Sequence, residues 1–145
     1  MALRFWPLKG LWRLIGYPDA SYKNNEDKSS QRAQTVFVAE PRSRSHNSHA
    51  VADTRGSLVE YESHKIIATT MSTTVAELYA LMKCFGTCLF LKGLWADLTG
   101  ENAQIHLRTD ANNLVTTAQT THQPEQKETI HLIQMLRSPL MTLPM

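Results

Sequence analysis

The segment MSTTVAELYALMKCFGTCLFLKGLWADL, residues 71–98, constrains the fold more than any other part of the chain. Leu78, Leu81, Met82, Phe85, Cys88 and Leu89 recur at helical spacing. Ser72 to Thr74 offer N-caps, and Gly100 offers a stop. Between positions 72 and 96 the only charged residues are Glu77, Lys83 and Lys92. So apolar a helix has to be covered, and the pattern predicts a largely buried element lying on a sheet.

The flanking segments supply that sheet. Residues 12–21 (WRLIGYPDAS) read as a strand ending in a turn, and 33–40 (AQTVFVAE) as a second, rich in β-branched and aromatic residues. Residues 58–67 (LVEYESHKII) alternate, with Val59, Tyr61 and Ser63 on one face, and predict a half-exposed third strand. The fourth is AQIHLRTD, 103–110. A short helix near 112–119, a break at His122 to Pro124 and an amphipathic helix over 125–138 complete a β-β-β-α-β-α-α order. The first three strands form an antiparallel meander. The helix-bearing connection then makes the fourth strand parallel to the first, through a right-handed crossover. Pro18 lacks an N–H, so pairing is expected to fail or bulge there.

At 145 residues the chain suits one domain with a real core. Its apolar fraction of 42% and charged fraction of 19% are those of an ordinary globular protein. A net charge of +2 is too small to mark a nucleic-acid binder by itself. The basic excess lies in residues 1–70, with ten Lys/Arg against seven Asp/Glu, whereas 71–145 carry five against six. No apolar run approaches the ~18 residues that crossing a bilayer takes, so no membrane partner is expected. The start MALRFWPLKGLWRLIGY is basic and free of acids, as transit peptides are, but Pro7 and Gly10 break the helix such a peptide needs. Cys84 and Cys88 stand at i,i+4 with no second ligand pair of matching spacing. They read as buried core thiols, which favours a reducing intracellular compartment, cytoplasm or nucleus.

Three acids come together in this topology. Asp19 and Asp110 lie at the C-terminal ends of strands that are parallel neighbours, where open α/β sheets place their sites. Glu77 lies one turn into the helix covering the same edge, 58 residues after Asp19 and 33 before Asp110. Hard divalent cations require such oxygen ligands. Each acid also has a structural reading. Thr74-Val-Ala-Glu77 fits a capping box, Asp110 before Ala-Asn-Asn fits a helix cap, and Asp19 before Lys23-Asn-Asn fits a turn. Spacing alone leaves both readings open.

The motifs GYPDASY, STTVAELYAL and RTDANNLV, in this order, resemble the ribonuclease H domain of copia-type retrotransposon polyproteins over roughly residues 3–138. The first is similar to that family's G-Y-x-D-A-x-W/Y strand, and the second to its S-S-T-E-A-E-Y-x-A-L helix, with Val75 in place of the first acid. The resemblance implies an α/β, ribonuclease H-like mixed sheet of a three-stranded antiparallel meander plus a parallel fourth strand, with helices. It implies Asp19, Glu77 and Asp110 as catalytic metal ligands for Mg²⁺ or Mn²⁺, an RNA–DNA hybrid as substrate, and the reverse transcriptase portion of a parent polyprotein as partner. The family continues into a fifth strand and a final helix near an L-A-D motif that supplies a fourth carboxylate, whereas this chain runs into SPLMTLPM. The expected organisation is a linker remnant over 1–11, an incomplete domain over 12–138 and a divergent tail over 139–145. Without a fifth strand, the fourth becomes an exposed edge carrying His106 and Arg108, and self-association is expected.

The remaining polar candidates read as structural. His46 and His49, with Arg42, Arg44 and Arg55, form a basic loop within 40–57 whose ordinary role is a solvated connection, although it could touch phosphates. His122 and His131 have no partner at metal-ligand spacing, and Trp6, Trp12 and Trp95 fall at apolar positions suited to the core. Two function classes follow: a metal-dependent nuclease domain that is weak or inactive in this chain, or a non-catalytic retrotransposon remnant with at most weak nucleic-acid affinity.

Overall fold

The computed structural model of the chain describes residues 5, 12–40, 56–67, 72–111 and 114. Strands β1 (Arg13–Ser21), β2 (Gln31–Ala39) and β3 (Gly56–Lys65) are followed by helix α1 (Thr73–Thr99) and strand β4 (Gln104–Leu107). The sheet order is β3-β2-β1-β4. β1 with β2 and β2 with β3 are antiparallel, while β1 with β4 is parallel. The meander and the crossover therefore stand as the sequence predicts. The helices expected near 112–119 and over 125–138 lie outside the described residues, apart from Leu114, as do the basic loop, His122, His131 and Trp6.

Period-two alternation decides which side of the sheet α1 covers. Leu14, Val36, Val38, Ile105 and Leu107 join Leu78, Leu81, Cys84, Phe85 and Cys88 in one core. Gly16 sits at the centre of this layer. A Cβ there would meet Cys84 Sγ at 2.6 Å and Leu107 Cδ2 at 2.7 Å, so glycine is what lets the helix approach the strand so closely. Both thiols are buried in that core, and Trp12 packs on Trp95 with ring centroids 4.8 Å apart. On the same side Gln34 Nε2 donates to Thr87 Oγ1 on α1 at 2.9 Å and to Glu62 on β3 at 3.1 Å. Arg32 completes that cluster with an ion pair to Glu62.

Pro18 does not interrupt β1. The β1–β2 register runs unbroken through Pro18↔Gln34. The reason is parity. Trp12 O accepts from Gln104 N, and Gly16 O accepts from Arg108 N, so even-numbered residues of β1 bond toward β4. The donor missing at Pro18 thus falls on the β4 side, beyond Leu107, where no ladder bond is required. The one register shift lies between β2 and β3, at Val36/Phe37. There Val36 pairs Glu60 and Phe37 pairs Leu58, leaving Val59 as the bulged residue.

α1 is less covered than expected. Ser72 caps it, its Oγ accepting from Val75 N at 3.3 Å, and Gly100 ends it at φ 73° with its N–H bonded to Ala96 O. Its 27 residues extend ~40 Å at helical rise, whereas the four residues of β4 extend only ~13 Å. Leu91 and Trp95 still pack against the core, whereas Phe90, Leu94 and Leu98, at i, i+4 and i+8, form an outward stripe with Phe90 69% and Leu98 75% exposed. By length and composition α1 would also suffice to cross a membrane, contrary to the expectation that no segment does. Its buried face, however, is the one packed on β1, β2 and β4.

Candidate metal centre

β1 delivers Asp19 near its C-terminal end, three residues before the hairpin turn begins at Tyr22. Asp110 lies three residues past the last residue of β4, because that strand stops at Leu107 rather than running to position 110. Glu77 stands in the second turn of α1. The capping-box alternative does not apply to it, since Ser72 is the N-cap and Glu77 lies two residues beyond the position that closes such a box. The structure brings all three acids together. One carboxylate oxygen from each lies within 4.8 Å of the others.

Their electrostatics follow from that crowding. Asp19 and Asp110 are exposed and Glu77 is half-buried. Burial first, then the negative charges of Asp19 and Asp110, push the Glu77 carboxyl up to about 7. A hydrogen bond from the Ala20 backbone N–H works the other way and favours the ionised form. Three like charges held this closely repel unless a proton or a cation intervenes. An all-oxygen donor set with two solvent-facing members suits a hard divalent ion that retains water. The residues present therefore fit Mg²⁺ or Mn²⁺ as a group, and Asp19, Glu77 and Asp110 are those that would hold it.

Two neighbours of the trio lie within the quoted motifs but drew no role from the sequence. Tyr17 precedes Asp19 by two residues, and Arg108 precedes Asp110 by two. Arg108 Nη1 donates to Tyr17 Oη at 3.4 Å, and its guanidinium carbon lies 6.0 Å from the Tyr17 ring centroid. Phe37 meets the same ring edge-on at 6.0 Å. The parallel register was the available signal, since it sets position 108 beside position 17. On β4, burial and then the charges of Arg13 and Arg108 hold the His106 imidazole below its usual pKa.

No protein-family model matches the chain, and no curated protein does. Among solved structures it superposes on LC11-RNase H1, a ribonuclease H1 isolated from compost by a metagenomic approach, with a TM-score of 0.55. Identity is 17%, and the match covers 91% of this chain and 82% of that one. The fold is ribonuclease H-like. Lower scores are found with the PFV RNase H domain (TM-score 0.47, 13% identity, 92% of this chain and 78% of that one). The Prototype Foamy Virus protease–reverse transcriptase gives 0.43 at 12% identity, covering 92% of this chain and 17% of that one.

Proposed function

We propose that the chain is a retroelement ribonuclease H-like domain of copia type, built for metal-dependent hydrolysis of the RNA strand of RNA–DNA hybrids. The observation that carries this reading is the convergence of Asp19, Glu77 and Asp110 within 4.8 Å at the strand ends of a ribonuclease H-like sheet. Asp19 and Asp110 supply exposed charge, and Glu77 joins them once it loses its proton near neutral pH. A divalent ion held there would supply Lewis acidity, activating water and neutralising charge on the phosphodiester. β1 and α1 hold Asp19 and Glu77 on regular backbone, and Asp110 follows three residues after β4, so two of the three carboxylates are pre-positioned by the elements themselves. Substrate choice would rest on duplex shape and the 2′-OH. An intracellular location and a parent polyprotein bearing reverse transcriptase belong to the same reading.

Turnover by this chain is expected to be very weak. The family it resembles uses four carboxylates, and among the described residues three acids, Asp19, Glu77 and Asp110, form the cluster. That observation favours the second reading, a remnant that keeps the fold and binds nucleic acid without cleaving it. The two are separated by incubating a labelled RNA–DNA hybrid with the chain as it stands and with a family-like C-terminal segment appended. Cleavage that appears on extension, requires Mg²⁺ or Mn²⁺ and vanishes in Asp110→Asn supports the nuclease reading. No cleavage by either form supports the remnant.

A further inference from the structure

We infer that Arg108, seated against the Tyr17 ring, holds a backbone phosphate of the nucleic-acid strand presented to the carboxylates, and this rests on the ribonuclease H-like reading above. Residues two apart on a strand share a face and lie ~6.8 Å apart along it. Tyr17 therefore stands on the same side of β1 as Asp19, one repeat back from the acids. Arg108 N bonds to Gly16 O at 2.8 Å, which places Arg108 beside Tyr17 and two residues before Asp110. A strand lying across Asp19 and Asp110 would next meet this pair.

The chemistry of the pair suits a phosphate. Arg108 is exposed, and the ion pairs among the described residues, Arg32–Glu62, His64–Glu62 and Lys65–Asp27, do not include it. Its charge is therefore available. The Tyr17 hydroxyl engages only Nη1, which leaves the rest of the planar donor fork open to a bidentate oxyanion. The ring beneath limits where the guanidinium can go, and Phe37 in turn braces the ring. Tyr17 is thus a positioning residue for Arg108. An acidic protein ligand would be repelled by the neighbouring carboxylates. A nucleic-acid strand brings phosphates that a cation-loaded trio attracts.

The test is fluorescence anisotropy of a labelled RNA–DNA hybrid with the full chain in Ca²⁺, titrated over a range of KCl. Arg108→Ala should weaken binding several-fold and equally across hybrid sequences, and should reduce the slope of log K against log salt by about 1. Arg108→Lys should keep the slope while recovering only part of the affinity, because the charge remains and the fork is lost. Lys92→Ala, on the helix, removes an equal charge and should change neither. Mn²⁺ binding to the trio, followed by calorimetry, should persist in Arg108→Ala, which shows that the variant is folded. Unchanged affinity and slope in Arg108→Ala, while the wild type still binds hybrid, would overturn the inference and leave the ribonuclease reading standing. The same unchanged affinity accompanied by self-association would assign Arg108 instead to guarding the edge strand. Absence of any hybrid binding by the wild type removes the ribonuclease reading and this inference with it.

Discussion

Glu77 links the geometry of the trio to a measurable titration. Its ordinary value is 4.5, and in the folded chain it is raised to about 7 by burial and by Asp19 and Asp110. Between those two pH values the folded state keeps a proton that the unfolded chain has lost. Without metal, its contribution to stability therefore falls as pH rises through that window, and the penalty is complete above about 7. Glu77→Gln cannot ionise, so in EDTA the variant should gain in Tm relative to wild type from pH 4.5 to pH 8. Adding Mn²⁺ at pH 8 should reverse the ranking, since the ion stabilises only the chain that binds it. Asp19→Asn should move the Glu77 titration downward, observable by carboxyl carbon NMR. At this scale the three acids were legible because motif order and strand ends pointed to the same positions. The Ala20 N–H that bonds Glu77 was not, because a backbone donor leaves no trace in side-chain identity.

Among the elements, the contact between β1 and α1 sets the tightest steric condition. Gly16→Ala would drive a methyl group into Cys84 Sγ and Leu107 Cδ2, and such overpacking commonly costs ~1–3 kcal/mol. Urea denaturation should show that loss, and adding Cys84→Ala should recover part of it by removing one of the two clashing groups. The far end of the helix is different. Phe90, Leu94 and Leu98 form an exposed stripe on the face of α1 opposite Leu91 and Trp95, which pack on the core. Replacing Phe90 and Leu98 with Glu should raise solubility, with little change in the urea midpoint. The extent of burial was not legible here because apolar residues occupy all faces of this helix, so periodicity could not say which face the sheet would cover. Pro18 was misread for a related reason. A missing donor matters only on the side where a partner strand runs, and the residue type does not reveal that side.

For the whole molecule, the sheet ends at β4 among the described residues, a short strand carrying His106, with Arg108 just past its end. Unpaired strand edges template association. Sedimentation velocity should show concentration-dependent self-association, which Gln104→Lys, at an exposed position of the edge strand, should reduce. A monodisperse monomer at high concentration would count against this picture. The meander and the parallel crossover were legible from element order alone, because connection length and handedness leave few alternatives. The lengths of individual strands were not, and β4 stops where its ladder with β1 stops.

The central position of β1 also has a kinetic consequence. Its pairing with β2 closes a short hairpin, whereas its contact with the β4 region joins Tyr17 to Arg108, 91 positions away. Long closures are slow relative to local ones. A refolding chain should therefore hold β1, β2 and β3 together before Asp110 arrives beside Asp19. Affinity for a divalent ion would then emerge only with the final docking event. A stopped-flow trace of Mn²⁺ uptake should lag the recovery of β-sheet signal and keep pace with burial of Trp12 against Trp95.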